Sequence, residues 1–276
     1  MVTNLSARTD RISSKFASLK AEGRTGLVVF VTVGHPYTDA AMDIVPSLVA
    51  AGADAVELGI PFSDPMGEGP VIQESSFIAL QNGTTIQNCL DTAAGLRPKI
   101  GDTPLVLMGY YNTLLSYGLE RFASACATAT VDGLIIVDLP GGEAAPLVQE
   151  LSKYGIHLIP LLAPTSTDES ITQSVSIGGG FVYCVSTTGV TGARNEVSER
   201  GLDLVERVRE RTDLPIAVGF GISRREHVLA VGERADAAVV GSALVRSLAD
   251  GPEHEAARRG SRVVAELAGR SDADAE

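Results

Sequence analysis

Short apolar runs recur along this chain, and stretches with helical periodicity separate them. Glycine, proline or acidic residues bound the runs, and several runs are apolar at nearly every position, as expected for strands that helices cover on both faces. Eight such runs occur, at residues 27–33, 54–59, 104–108, 134–137, 157–162, 181–185, 215–218 and 237–240. We predict a parallel strand at each of them.

Apolar spacings of three and four residues predict helices between most of these strands. Ahead of the first strand, Ile12, Phe16 and Leu19 follow this spacing, and Gly23 is a suitable place for the helix to end. The remaining helices are predicted at residues 38–51 (with Thr38 as N-cap and a kink or break at Pro46), 71–81, 86–96, 141–153, 168–175, 198–211, from about 225 onward and after 242.

The alternation of eight strands with helices, in a chain of 276 residues, predicts a parallel (β/α)8 barrel, the TIM-barrel fold of the α/β class. We expect residues 1–270 to form a single domain, in which the N-terminal helix is an extra element. Residues 271–276 are acidic, and we expect them to be disordered. A doubly wound open sheet is the alternative, because alternation alone does not distinguish a closed sheet from an open one.

Composition narrows the possible functions. The formal net charge of −12 disfavours nucleic acid and anionic membranes as partners, although it allows a small anionic ligand. The chain has neither an apolar run of 18 residues nor an apolar signal core near its start, so we expect a cytoplasmic protein. The three cysteines and four histidines are scattered, which favours free buried thiols over disulfides and over a metal site.

The second strand carries a glutamate in an otherwise apolar run. Side chains alternate along a strand, so Glu57 faces away from Val56 and Leu58. If those two side chains pack against helices, Glu57 faces the opposite side of the sheet. The loop that follows, rich in proline and glycine, supplies a second carboxylate, Glu68. Together they predict general acid–base chemistry, and the alternative for Glu57 is a structural ion pair or a solvated strand end.

Further polar and aromatic residues lie at the ends of other strands. Tyr110 and Asn112 follow the third strand, Asp138 follows the fourth, and Tyr183 lies in the sixth. Because the active sites of (β/α)8 barrels lie at the carboxyl ends of the strands, these residues are candidates for the same site as the two glutamates.

Glycine-rich loops follow the last three strands, at residues 189–192, 219–221 and 241–242. Backbone N–H groups in such loops bind anions, and the loops after strands seven and eight are the usual phosphate site of this fold, although plain tight turns are the alternative. The chain lacks a Walker lysine and a dinucleotide-binding glycine fingerprint, so we expect a phosphomonoester rather than a nucleotide. The residues alone therefore fit an isomerase, an aldolase-like lyase or a dehydratase that uses neither metal nor organic cofactor.

Several segments, in order along the chain, carry a more specific signal. They are residues 30–34 (FVTVG), 57–65 (ELGIPFSDP), 69–73 (GPVIQ), 109–112 (GYYN), 137–140 (VDLP), 189–192 (GVTG), 219–223 (GFGIS) and 241–242 (GS). This ordered set resembles the tryptophan synthase α subunit family and extends over nearly the whole chain. The resemblance implies a carbon–carbon lyase of tryptophan biosynthesis, which cleaves indole-3-glycerol phosphate to indole and glyceraldehyde 3-phosphate.

The resemblance also implies roles for individual residues. Glu57 matches the family's acid/base, and Glu68 stands at its second carboxylate. Other matching positions are Phe30, Tyr110, Ile135 and Tyr183 in the indole pocket or at its rim, Thr191 in a loop that closes over the substrate, Gly192, Gly221, Gly241 and Ser242 in the phosphate cradle, and Pro61, Asp64 and Pro65 in the contact with a β subunit.

One departure from the family pattern bears directly on catalysis. The second carboxylate is usually an aspartate, whereas Glu68 has a side chain longer by one methylene group. Catalysis depends on placement at the ångström scale, so this change leaves two alternatives to an α subunit with full activity. One is a stand-alone lyase that releases indole for a specialised pathway, and the other is a weakly active or non-catalytic regulatory subunit.

Overall fold

The computed structural model describes residues 10–185, 199–219 and 221–270. The strands are β1 (Gly26–Thr32), β2 (Ala55–Gly59), β3 (Leu105–Gly109), β4 (Gly133–Ile136), β5 (His157–Leu158), β6 (Leu161–Leu162), β7 (Val182–Val185), β8 (Ile216–Gly219) and β9 (Ala237–Val240). The helices are α1 (Arg11–Glu22), α2 (Ala40–Ala51), α3 (Pro70–Gln81), α4 (Ile86–Ile100), α5 (Tyr111–Tyr117), α6 (Leu119–Thr128), α7 (Ala145–Ser152), α8 (Asp168–Ile177), α9 (Glu199–Arg209), α10 (Arg225–Gly232), α11 (Ser242–Ala249) and α12 (Ala256–Ala268). None of the described helices is long and apolar enough to span a membrane.

The strands form one parallel sheet, and its two edge strands are consecutive in the sequence. Its order is β5-β4-β3-β2-β1-β9-β8-β7-β6, and the two terminal strands, β5 and β6, are separated only by Ile159 and Pro160. The Ile159 N–H donates to the carbonyl of Leu134 at 2.8 Å, while the Pro160 carbonyl accepts the N–H of Tyr183, also at 2.8 Å. This segment therefore joins both edges, which confirms the predicted (β/α)8 barrel and rules out the open sheet.

The fifth predicted strand is divided into two short strands. Residues 157–162 were expected to be continuous, but the structure divides them into β5 and β6, which pair with β4 and β7 respectively. Proline has no N–H to donate, so Pro160 interrupts the ladder at the point where the segment changes partners.

Two apolar clusters flank the sheet. The outer cluster lies between strands and helices, and the inner cluster fills the barrel. Helix α1 closes the amino-terminal end of the barrel: Ile12, Phe16 and Leu19 all belong to the inner cluster, and the Phe16 ring centroid lies 5.5 Å from that of Phe181. The predicted N-terminal helix is thus an extra element that caps the core.

Aspartates at the starts of three strands tie this amino-terminal end together. Asp54, Asp132 and Asp236 accept hydrogen bonds from the first or second residue of a neighbouring strand, at 2.8–2.9 Å. Each also forms an ion pair with an arginine at 2.6–2.7 Å. These carboxylates stabilise the fold, far from the carboxyl ends where the candidate site residues lie.

Several helix boundaries differ from those predicted. The N-cap of α2 is Asp39 rather than Thr38, and α2 continues through Pro46 without a break. Helix α4 extends through Pro98 to Ile100, and residues 141–143 form a 3-10 turn before α7. Helices α5 and α6 were not predicted, because alanine, serine and threonine dilute the apolar period of α6.

Candidate active site

Glu57 lies on the inner face of the barrel. Its register partners, Phe30 on β1 and Val106 on β3, belong to the inner cluster, whereas Val56 and Leu58 belong to the outer one. The alternation predicted for this strand is therefore confirmed. The Glu57 side chain is 1% exposed, and its Oε1 atom has no hydrogen-bond partner among the described residues. A polar atom so deeply buried is costly unless a ligand completes its contacts, which argues against the solvated strand end.

The two glutamates are electrostatically coupled. Burial, and after it the charge of Glu68, raises the pKa of Glu57 to about 8. Burial also raises the pKa of Glu68, to about 7. Because two neighbouring carboxyl groups in a dry site do not both ionise readily, the pair favours one proton and one negative charge near neutral pH. Glu57 is the more deeply buried of the two, so burial favours its protonated form more strongly than that of Glu68.

A cavity of about 330 Å³ lies at the carboxyl ends of the strands. Its apolar wall is formed by Phe30, Ile72, Met108, Tyr183, Ile222, Val239 and Ala243, and its polar wall by Glu68, Gly219, Gly221, Ser223, Gly241, Ser242 and Arg246. Burial, followed by the charges of Glu57 and Glu68, holds the pKa of Tyr183 well above its usual range. Both carboxyl groups therefore lie near this phenol, beside the cavity.

Two inward-facing glycines make room for the aromatic wall. A Cβ atom at Gly59 would lie 2.5 Å from the Phe30 ring, and one at Gly219 would lie 2.5 Å from the Tyr183 hydroxyl. Any larger residue at either position would push a ring out of place. Glycines on the inner faces of β2 and β8 thus allow two aromatic side chains to border the cavity.

The loop that carries Glu68 is held by a tyrosine that directly follows the neighbouring strand β3. The Tyr110 hydroxyl accepts the N–H of Gly67 at 3.0 Å, and its ring stacks on Phe62 with centroids 4.8 Å apart. A Cβ atom at Gly67 would lie 2.5 Å from Cγ1 of Val137, so only glycine fits this approach. These contacts set the position from which Glu68 enters the cavity.

The part of the cavity that is formed by the loop after β8 and by the start of α11 is suited to an anion. Gly221 has a φ of 61°, the left-handed conformation that glycine adopts most readily. Gly241 and Ser242 stand at the start of helix α11, where unpaired backbone N–H groups and the helix dipole favour negative charge. Arg246, one helical turn later, lines the same end.

Comparison with known proteins agrees with this architecture. Residues 16–273 match the model of a family described as tryptophan synthase alpha chain. An alpha chain from a Roseiflexus species is 46% identical over 259 residues, which cover 94% of this chain and 99% of that protein. One from Caulobacter vibrioides is 50% identical over 236 residues, 86% of each chain.

The chain belongs to the tryptophan synthase alpha chain family. Two solved structures with the same fold are Mycobacterium tuberculosis tryptophan synthase (TM-score 0.87, 34% identity, 95% of this chain and 98% of that one) and the Legionella pneumophila alpha chain (TM-score 0.86, 31% identity, 95% and 97%). The resemblance found in the sequence is confirmed, and with it a lyase of tryptophan biosynthesis that cleaves indole-3-glycerol phosphate. Alpha chains of this family normally associate with a β subunit.

The structure brings together most of the residues that the tryptophan synthase resemblance implies. Six of them line the same cavity, namely Phe30, Glu68, Tyr183, Gly221, Gly241 and Ser242. Ile135 is fully buried in the inner cluster and Tyr110 contacts the Glu68 loop, and neither is among the residues that line the cavity, so their place in the indole pocket or at its rim stays a prediction. Thr191 and Gly192 lie outside the described residues, as do the predicted tail at 271–276 and the first nine residues.

Two candidates lie apart from the cavity. Asp138 accepts the N–H of Tyr111 at 2.7 Å, and it therefore positions the start of α5. Asn112 is exposed on the same helix. Arg246 was missed from the sequence, and the signal that could have found it is its spacing of four residues from Ser242, which places both on one helix face.

Proposed function

We propose that this chain cleaves indole-3-glycerol phosphate with Glu57 as the general acid and base and with Glu68 as the carboxylate that stabilises the indole ring. The observation that carries the proposal is the pair of coupled carboxyl groups beside a cavity with an apolar wall and an anion-binding end. The apolar wall suits the flat indole ring, while the loops at Gly221 and Gly241 suit the phosphate.

The reaction needs one protonated and one ionised carboxyl group, and the pair favours this state near neutral pH. Protonated Glu57 donates to ring carbon C3, and positive charge then develops on the ring, where the ionised Glu68 stabilises the N–H. Glu57 next accepts the proton of the glycerol hydroxyl beside the ring. The carbon–carbon bond breaks, its electron pair restores the aromatic ring, and the hydroxyl carbon leaves as the aldehyde of glyceraldehyde 3-phosphate. Glu57 ends protonated, as it began.

The loop between β2 and α3 is the surface that we propose for the β subunit. Pro61 is buried at its base, whereas Asp64 is exposed and Pro65 half-buried. Met66 is 91% exposed, an unusual position for a large apolar side chain. Because the same loop carries Glu68, a partner bound there would act directly on the position of a catalytic carboxylate.

We also propose that residues 1–270 form one domain in the cytoplasm. All the described strands belong to a single sheet. Near the two ends of the chain, helix α1 packs into the inner cluster and helix α12 packs on α2.

An indole-release assay tests the proposed activity. Purified protein supplied with indole-3-glycerol phosphate is expected to release equal amounts of indole and glyceraldehyde 3-phosphate, faster when a β subunit is added. Full-rate release that a β subunit leaves unchanged would favour the stand-alone lyase. Binding of the substrate and activation of the β subunit, with no indole formed, would favour the regulatory subunit and contradict the proposal.

A further inference from the structure

Arg246 is the one basic side chain among the described residues that line the cavity. It lies on α11, four residues after Ser242, so the two side chains project from neighbouring turns on the same face of the helix. Arg246 therefore lies one helical turn from the backbone N–H groups at the start of α11, in the wall of a cavity that Glu68 also lines.

This arginine has no partner in the described part of the chain. No hydrogen bond or ion pair holds its guanidinium group, and the side chain is exposed. Two arginines on the neighbouring helices are bound: Arg259 on α12 donates to the carbonyls of Ser247, Leu248 and Pro252, and Arg225 on α10 donates to that of Leu267. Arg246 is therefore free to bind a ligand in the cavity.

The charge balance of the cavity makes such a cation useful. The chain carries a net charge of −12, and two carboxyl groups lie beside the cavity, so a phosphate dianion would approach against repulsion. A guanidinium group presents a planar pair of donors that match two phosphate oxygens. At the α11 end it would attract the phosphate and keep it away from the carboxyl groups.

We propose that Arg246 binds the phosphate oxygens of the substrate, together with the backbone N–H groups at Gly221, Gly241 and Ser242. This rests on the proposed function, because it identifies the phosphate of that substrate as the ligand. The contact is made equally before and during bond cleavage, so it lowers KM and leaves kcat nearly unchanged.

Replacement of Arg246 by glutamine tests this role, with glycerol 3-phosphate as the probe. Calorimetric titration of Arg246→Gln is expected to show affinity lower by about tenfold, the range for one charge-assisted contact at a solvent-accessible site. Arg246→Lys should lose less, because it keeps the charge but not the planar donors. Arg262→Gln removes another exposed arginine without a partner, on α12, and should bind as the wild type does.

Steady-state kinetics with indole-3-glycerol phosphate should give a raised KM and a kcat within about twofold of the wild-type value. Unchanged binding of glycerol 3-phosphate by Arg246→Gln, or no binding by the wild type, would overturn the inference. If Arg246→Gln weakens glycerol 3-phosphate while even the wild type fails to cleave the substrate, the anion site stands and the proposed function fails.

Discussion

Glu57→Gln is expected to lower kcat for indole release by about 10²- to 10⁴-fold, the range that general acid–base catalysis supplies. Glutamine keeps the shape of the side chain but neither donates a proton to the ring nor accepts one from the hydroxyl. Substrate binding should change little, because the apolar wall and the anion-binding end of the cavity remain. Rapid-quench measurement of indole, with calorimetric titration of the substrate, checks both parts of this expectation.

Glu74→Gln is the matched control, since Glu74 is exposed on α3 and should leave turnover unchanged. Stability provides a second readout. The pKa of folded Glu57 is about 8 against an ordinary value of 4.5, so its contribution to wild-type stability is present below about pH 4.5 and is lost as pH rises through 8. The free energy of unfolding of Glu57→Gln should therefore fall less than that of the wild type between about pH 4.5 and about pH 8. Turnover by Glu57→Gln at the wild-type rate would refute the acid–base role.

Gly67→Ala is expected to lower kcat/KM by about 10²-fold, although residue 67 does not touch the substrate. The new Cβ would lie 2.5 Å from Cγ1 of Val137 and 3.3 Å from the Tyr110 hydroxyl, so the loop must move and carry Glu68 with it. Steady-state kinetics on the purified variant measures the loss.

Two further variants make this prediction specific. Val137→Ala removes the atom that the new Cβ would meet, so Gly67→Ala combined with Val137→Ala should recover most of the activity. Gly69→Ala is the control within the same loop, because a Cβ there meets nothing within 4 Å and the backbone φ is −77°. If Gly67→Ala is as active as Gly69→Ala, the loop does not set the position of Glu68.

Local patterns predicted the parts of the fold that depend on local chemistry. The apolar runs gave β1 to β4 and β7 to β9 to within a few residues, and the period of two placed Glu57 opposite Val56 and Leu58. Pro160 shows where this approach stops, because a strand that leaves one neighbour and joins another depends on barrel closure. Periodicity in one segment carries no information about that closure.

The sequence indicated which residue types the site would contain, but it did not indicate which side chains would contact one another. Glu57 was a candidate because a carboxylate within an apolar strand is costly to bury, and Glu68 was one because the loop that follows the strand carries it. The hydrogen bond from the Gly67 N–H to Tyr110, which was expected in the indole pocket or at its rim, could not be predicted, because it joins two separate elements. The aspartates before β2, β4 and β9 resemble catalytic carboxylates in type, and only their bonds to arginines and strand N–H groups identify them as structural.

The pH dependence of kcat/KM for indole-3-glycerol phosphate tests most directly whether the two carboxyl groups share one proton. The proposed mechanism needs Glu68 ionised and Glu57 protonated, and burial raises the pKa values of these two groups to about 7 and about 8. The profile should therefore be bell-shaped, with its maximum between these values, falling toward acid as Glu68 gains a proton and toward alkali as Glu57 loses one. A profile that stays flat from about pH 6 to about pH 9 would contradict the account.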